Sequence, residues 1–176
     1  DAVGNVYVAG NIITSSNKYG ISAIKYNASG ISQWSVNFLN PDNTKNVYVT
    51  QMVTDNSGNV YMAGYYESPL ASGYDFLILK YNTSGTLLWS RTWSYLTSNS
   101  NDFAHSLALD GTGNIYVTGA CDNSSYFGRI ATLKYNSSGT LQWAQTLNFS
   151  SWSGYHNGKK ILTDVTGNCY VIGTGA

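Results

Sequence analysis

The residues able to do chemistry in this chain are few and regularly spaced. Asp1, Asp55, Asp110 and Asp164 stand 54, 55 and 54 residues apart, each three residues before a glycine and four before an asparagine. Alternating Asp and Asn oxygens are what a calcium loop offers, but such a loop needs several carboxylates and a distal bidentate glutamate. Each segment here has one carboxylate, and Glu67 is the only glutamate in the chain. The expected role is a hairpin turn: glycine takes the φ > 0 position, and the Asp or Asn side chain bonds nearby backbone N–H groups. The same scarcity argues against catalysis. Any carboxylate pair with a glutamate has to use Glu67, and the other carboxylates mostly repeat with the turns. His105 and His156 are the sole histidines and have no clustered metal ligands around them in sequence. No His-Glu-x-x-His, Gly-x-Ser-x-Gly or phosphate-cradling loop is present. The expectation is a protein that is not an enzyme and holds no cofactor or metal.

Two further groups of residues bear on modification and binding. Sequons occur at Asn27, Asn82, Asn123, Asn136 and Asn148. With 19 asparagines and 38 serines or threonines, roughly four sequons arise by chance, so placement matters more than number. Asn27, Asn82 and Asn136 share one position of the repeat, a turn where a glycan would reach solvent; a turn-forming asparagine is the structural alternative. Tyr65, Tyr66, Trp93, Tyr95, Tyr126 and Trp152 lie in or near variable loops. Their faces suit stacking on sugar rings, against the plainer role of packing between sheets.

Composition narrows the partners. Charged residues make up 10% of the 176, with nine basic and nine acidic side chains. That balance provides no electrostatic footprint for nucleic acid or an anionic membrane. Asn, Ser, Thr, Gly and 15 tyrosines take the place of charge, a neutral polar surface that fits an extracellular or cell-surface setting. No apolar run of about 18 residues suggests membrane insertion. The chain opens on Asp1 rather than methionine, as expected of a processed or excised chain. Cys169 occupies the position of Val6, Val60 and Ile115 and is expected to be a buried thiol. Cys121 lies six residues beyond that position, roughly 20 Å along a strand, too far for a bridge between neighbouring equivalent strands.

The elements that position these residues follow from the period. Asp55-Asn56-Ser57-Gly58-Asn59-Val60-Tyr61-Met62-Ala63-Gly64 recurs at Asp110–Gly119 and, in looser form, at Asp1–Gly10 and Asp164–Gly173. After each turn comes an apolar strand, then a variable loop, then a strand such as Phe76-Leu77-Ile78-Leu79-Lys80-Tyr81. Next are Ser84-Gly85 and Leu87-Leu88-Trp89-Ser90, with Ser29-Gly30 and Trp34, and Ser138-Gly139 and Trp143, as counterparts. The first two strands of the unit are apolar on both faces and so need cover on both. The third alternates, with Leu87, Trp89 and Trp93 against Thr86, Ser90 and Thr92, as suits an exposed outer strand. A fourth segment (47–54, 102–109 and 156–163) is expected to be the inner strand, with Thr50, Gln51, His105, Ser106, Lys159 and Lys160 lining a polar channel. Four short strands in about 50 residues match a propeller blade.

Asp-x-x-Gly-Asn-Val-Tyr, the Phe-Leu-Ile-Leu-Lys-Tyr-Asn strand and Ser-Gly-x-Leu-x-Trp-Ser together resemble the SBBP family of β-propeller repeats. The family pattern usually has Asp where this chain has Asn27, Asn82 and Asn136. The resemblance implies a secreted or cell-surface repeat protein and names no activity. The expected fold is all-β: a propeller-like array of four-stranded antiparallel blades, about three plus an incomplete one. Residues 1–176 form a single domain, with units of approximately 1–54, 55–109, 110–163 and a partial 164–176. Propellers close with typically four to eight blades, so this array leaves apolar faces and strand edges at both ends. The expected partners are further copies of the chain, in a ring or filament, or the rest of a longer polypeptide. Glycans are the alternative partner, in a lectin-like module.

Overall fold

Strands with two apolar faces need cover on both sides, and the chain supplies it by stacking sheets. The computed structural model describes residues 1–40, 44–68, 73–96, 100–122, 128–148 and 156–175. These hold strands only: β1 (Val6–Ile13), β2 (Tyr19–Tyr26), β3 (Ser32–Phe38), β4 (Val47–Thr54), β5 (Val60–Glu67), β6 (Tyr74–Tyr81), β7 (Leu87–Trp93), β8 (Phe103–Leu109), β9 (Ile115–Cys121), β10 (Arg129–Tyr135), β11 (Leu141–Leu147), β12 (Asn157–Thr163) and β13 (Cys169–Thr174). They form four antiparallel sheets in chain order: β1-β2-β3, β4-β5-β6-β7, β8-β9-β10-β11 and β12-β13. Two sheets have all four strands, the first has three and the last has two. No described helix is long and apolar enough to cross a membrane.

Counted from aspartate to aspartate, the sequence period cuts the second, third and fourth sheets between their first and second strands. The strand that ends one sequence unit opens the next sheet, so each of the three full units is tied into two sheets. Cover on both faces then follows from the stacking. Val60, Met62, Leu77 and Leu79 face the first sheet, packing with Ile21 and Ala23. Tyr61, Ala63, Phe76 and Ile78 face the third, packing with Leu107, Ile115, Val117 and Leu133. Ile161 of β12 is likewise fully buried. The outer strand β7 keeps Trp89, Arg91 and Trp93 half-buried and exposes Ser90 and Thr92, as its alternation predicts, but Leu87, expected on the covered side, is exposed at the start of the strand.

The inner strands depart from expectation. Each carries one extra residue where the pairing register shifts, at Thr50, His105 and Lys159. A bulge at the same place in three sheets is a feature of the repeat. The expected polar channel is in part a set of ties between sheets. Thr50 Oγ1 donates to the Ala104 carbonyl at 2.8 Å and Gln51 Oε1 accepts from the Leu107 N–H at 3.0 Å. Ser106 Oγ accepts from the Ile161 N–H at 3.2 Å, and Thr163 Oγ1 donates to the Leu109 carbonyl at 2.7 Å. Inner strands of adjacent sheets are not paired, so their backbone groups need such partners when buried. Lys159 and Lys160 remain exposed.

Candidate functional site

The aspartate turns are closed structural units in all four copies. In each, the first Asp oxygen accepts from backbone N–H groups two and four residues on. For Asp55 these are Ser57 and Asn59, both at 2.9 Å. The second oxygen accepts from the Asn59 amide at 2.8 Å and the Tyr61 hydroxyl at 3.1 Å. Asp1, Asp110 and Asp164 repeat this set with Asn5 and Tyr7, Asn114 and Tyr116, and Asn168 and Tyr170. Gly58 adopts φ +81°, the left-handed residue of a three-residue hairpin loop. Burial alone pushes the Asp110 carboxyl up, but the bonds from Asn114 and Thr112 prevail and hold it down at about 2. The carboxylates are thus occupied by their own turns. Among the described residues no three His, Cys, Asp or Glu side chains are grouped to hold a metal ion.

The asparagine turns have the same backbone shape. Asn82 Oδ1 accepts from the Ser84 and Thr86 N–H groups at 3.0 and 2.9 Å, and Asn27 and Asn136 do likewise. The turns of Asn82 and Asn136 form the joints between sheets. The Trp34 ring of β3 lies so close over Gly85 that an added Cβ would come within 2.9 Å of it. The Trp34 indole N–H donates to the Thr83 carbonyl at 3.0 Å. At the next joint Trp89 covers Gly139 equally closely, Arg91 Nε donates to the Gly139 carbonyl at 2.7 Å, and Lys80 Nζ donates to the Ser137 carbonyl at 3.0 Å.

At the two ends the joints stop. Val6 and Val8 on β1 are 54% and 51% exposed, while their counterparts Val60 and Met62 are 0% and 1%. On the opposite end, Leu162, Tyr170 and Ile172 face outward and are more than half exposed. Beyond β13 lies a groove of about 660 Å³ between the last two sheets, lined by Ile130, Trp143, Gln145, Leu147, Cys169 and Val171 among others. It occupies the place that the third and outer strands fill in the complete sheets. A smaller groove of about 400 Å³ lies between β1 and β4, lined by Tyr7, Val8, Asn11 and Val49 among others. These unfinished ends are the candidate functional surfaces.

The residues singled out from the sequence do not converge. Asn27, Asn82 and Asn136 are half-buried, the last two in turns seated against a neighbouring tryptophan; Asn148 is exposed at the end of β11. Asn123, Tyr126 and Trp152 lie outside the described residues. Trp93 packs on Phe76 and Tyr95, and Tyr95 lies beneath the Arg129 guanidinium. Tyr66 packs at the edge of the core between the first two sheets. Tyr65 belongs to a belt of stacked and edge-on rings, with Tyr19, Tyr48, Tyr74 and Phe103 at centroid spacings of about 5 to 6 Å. The sequence reading missed that belt. Its signal was there: Tyr19 and Tyr74, and Tyr48 and Phe103, are each 55 residues apart.

Other reactive side chains are held structurally. Glu67 pairs with Lys45 at 3.3 Å and accepts two bonds from Asn46. His105 Nδ1 lies 3.3 Å from the Gly158 carbonyl, and burial lowers its pKa. Cys121 and Cys169 are free thiols. Burial pushes Cys121 up to about 12. Cys169, expected to be buried, is half-exposed because it lines the open groove. Asp102 stands apart from the repeating aspartates: its carboxyl is fully buried, with the Ser100 hydroxyl and the Tyr95 N–H donating to one oxygen. Desolvation raises its pKa to about 6.

Comparison with known proteins agrees with this geometry. No curated protein sequence matches the chain. Among solved structures, a protein of unknown function from Bacteroides caccae shares the fold with a TM-score of 0.57 and 12% identity, over 95% of this chain and 49% of that one. The chain thus spans about half the length of that structure. Residues 93–127 match the SBBP family, described as a β-propeller repeat. That segment runs from the end of β7 through β8 and β9, and its aspartate turn and the strands beside it have counterparts on either side: the chain carries an SBBP-type β-propeller repeat at residues 93–127.

Proposed function

We propose that the chain is a non-catalytic structural or adhesive module of the cell surface or extracellular space, which self-associates through its unfinished end sheets. The observation that carries this reading is the contrast between equivalent residues. Side chains that are sealed in the middle of the stack are more than half exposed at its ends. Covering an apolar face of roughly 500 Å² at about 25 cal/mol per Å² stabilises by ~12 kcal/mol as an upper bound. That rivals the stability of a typical domain. The extracellular setting is supported by the low charge, the neutral polar surface and the sequons. The absence of a role in catalysis is supported by the engagement of every repeat aspartate, and of Glu67, in hydrogen bonds of the scaffold. Light scattering on the purified chain tests the proposal: assembly should give a mass that is a multiple of 19.1 kDa. A folded species at the single-chain mass would overturn it and leave the ends to be covered by further repeats of a longer polypeptide.

A second reading, glycan binding, draws on the belt around Tyr65. Five half-exposed or exposed rings at one end of the first three sheets give π-faces on which sugars stack. A glycan array probed with the assembled protein, against a variant with Tyr48 and Tyr65 changed to Ala, would detect it. Equal signals from both would remove it.

A further inference from the structure

Granting the self-association proposed above, on which this rests, we infer that the β2–β3 hairpin of a second copy seats in the groove beside β13, its Ser29-Gly30 turn against Trp143. The internal joints provide the template, and they occur twice. A tryptophan on the outer strand of one sheet lies over the glycine turn of the next: Trp34 over Gly85, then Trp89 over Gly139. The chain also contains both halves of a third joint, at opposite ends. Gly30 has the same backbone conformation, φ +76°, as Gly85 and Gly139 at φ +78°, yet no described residue lies within 4 Å of where its Cβ would be. Trp143 occupies the position of Trp34 and Trp89, but lines the open groove instead of covering a turn. Among the described residues, one tryptophan lacks a turn, and one turn lacks a tryptophan.

The strand inventory agrees. β12 is an inner strand, which β1-β2-β3 lacks among the described residues, while β2 and β3 are the third and outer strands that β12-β13 lacks. β1 and β13 are the same strand of the repeat, Asn5-Val6-Tyr7-Val8-Ala9-Gly10 and Asn168-Cys169-Tyr170-Val171-Ile172-Gly173. A four-stranded sheet needs one of them, and the hairpin seat is the same whichever is retained. Each junction then completes one sheet, so each copy contributes three. Two copies joined head to tail at both ends make a ring of six, within the usual four to eight. By analogy with the internal joints, the carbonyl of residue 28 in the incoming turn would accept from the Trp143 indole N–H or Lys134 Nζ, as those of Thr83 and Ser137 accept from Trp34 and Lys80.

The test compares the masses of the full chain and three variants by light scattering. Gly30→Asn fills the seat with a residue that tolerates the left-handed backbone, and Trp143→Ala removes the ring. Gly111→Asn is the control, at an exposed turn within the stack with open space around it. The wild type and Gly111→Asn are expected at twice 19.1 kDa. Gly30→Asn and Trp143→Ala should associate roughly tenfold or more weakly, with unchanged far-UV circular dichroism. A folded wild type at 19.1 kDa overturns self-association itself. A wild type that assembles, with Gly30→Asn assembling equally well, overturns this junction alone, and a ladder of higher multiples overturns the closed pair. Trp143 also packs against Tyr116 at 6.1 Å, so its variant is paired with a hydrogen-exchange measurement on the wild type. Protection across residues 19–38 should rise with concentration, and protection that stays constant contradicts the seat.

Discussion

Tyr61 and Tyr170 occupy one position of the repeat and make the same hydrogen bond to the aspartate of their turn, yet Tyr61 is 1% exposed and Tyr170 is 57%. The turn is therefore self-sufficient, formed by local sequence wherever it falls. The packing on it is not, and depends on a neighbouring sheet. The interior sheets have two neighbours and end sheets one, so the same residues do different amounts of work. Substituting equivalent positions in both regions measures the difference.

The largest contrast lies in the core. Ile78→Ala should cost about 2–5 kcal/mol, because Ile78 is fully buried between complete sheets. Val8→Ala should cost under ~1 kcal/mol in the separated chain. In the assembled protein its cost should instead appear as weaker association. Urea unfolding at low and high protein concentration separates the two.

Next in size is the buried carboxyl of Asp102, which has no counterpart in the end sheets. Desolvation raises its pKa from 3.8 to about 6, against the lowering effect of the Tyr95 and Ser100 hydrogen bonds. The native state binds this proton more tightly than the unfolded chain. Its stabilising contribution is therefore complete below about pH 3.8 and is lost as pH rises through about 6. Asp102→Asn should flatten that segment of the pH–stability curve, by roughly 1–3 kcal/mol over the window. Chemical denaturation between pH 4 and 7 reads it out.

Smaller effects belong to the joints and turns. Gly139→Ala forces a Cβ against the Trp89 ring and strains a left-handed residue, and should cost about 1–3 kcal/mol. In the separated chain Gly30→Ala meets only the backbone strain and should cost about 1 kcal/mol, and in the assembled protein it should also weaken association. Smallest of all, Tyr61→Phe removes a half-buried hydrogen bond and should cost about 1 kcal/mol, against a few tenths for exposed Tyr170→Phe. Thermal melts of the four variants check both pairs.

How much of this was legible in sequence follows the same division between local and non-local. The turns were, because an Asp or Asn followed by a glycine three residues later defines its own hydrogen bonds. The strands were, because Val60-Tyr61-Met62-Ala63 is apolar on both faces. The inner-strand bulges were not: Thr50, His105 and Lys159 share no side-chain type, and the extra residue shows only in the pairing. The channel expectation fell short for that reason, since neighbouring sheets claim Gln51 and Ser106. The glycine–tryptophan joints were equally hidden, because Trp34 and Gly85 lie 51 residues apart in sequence and meet only when sheets stack. The aromatic belt needed the same non-local information.

The claim that the end sheets need neighbours is tested most directly by thermal unfolding of the intact chain over a hundredfold range of concentration. If copies complete one another, the melting temperature rises with concentration by mass action, and the end strands unfold together with the middle ones. A melting temperature that does not move with concentration, in a chain that melts cooperatively, would contradict it.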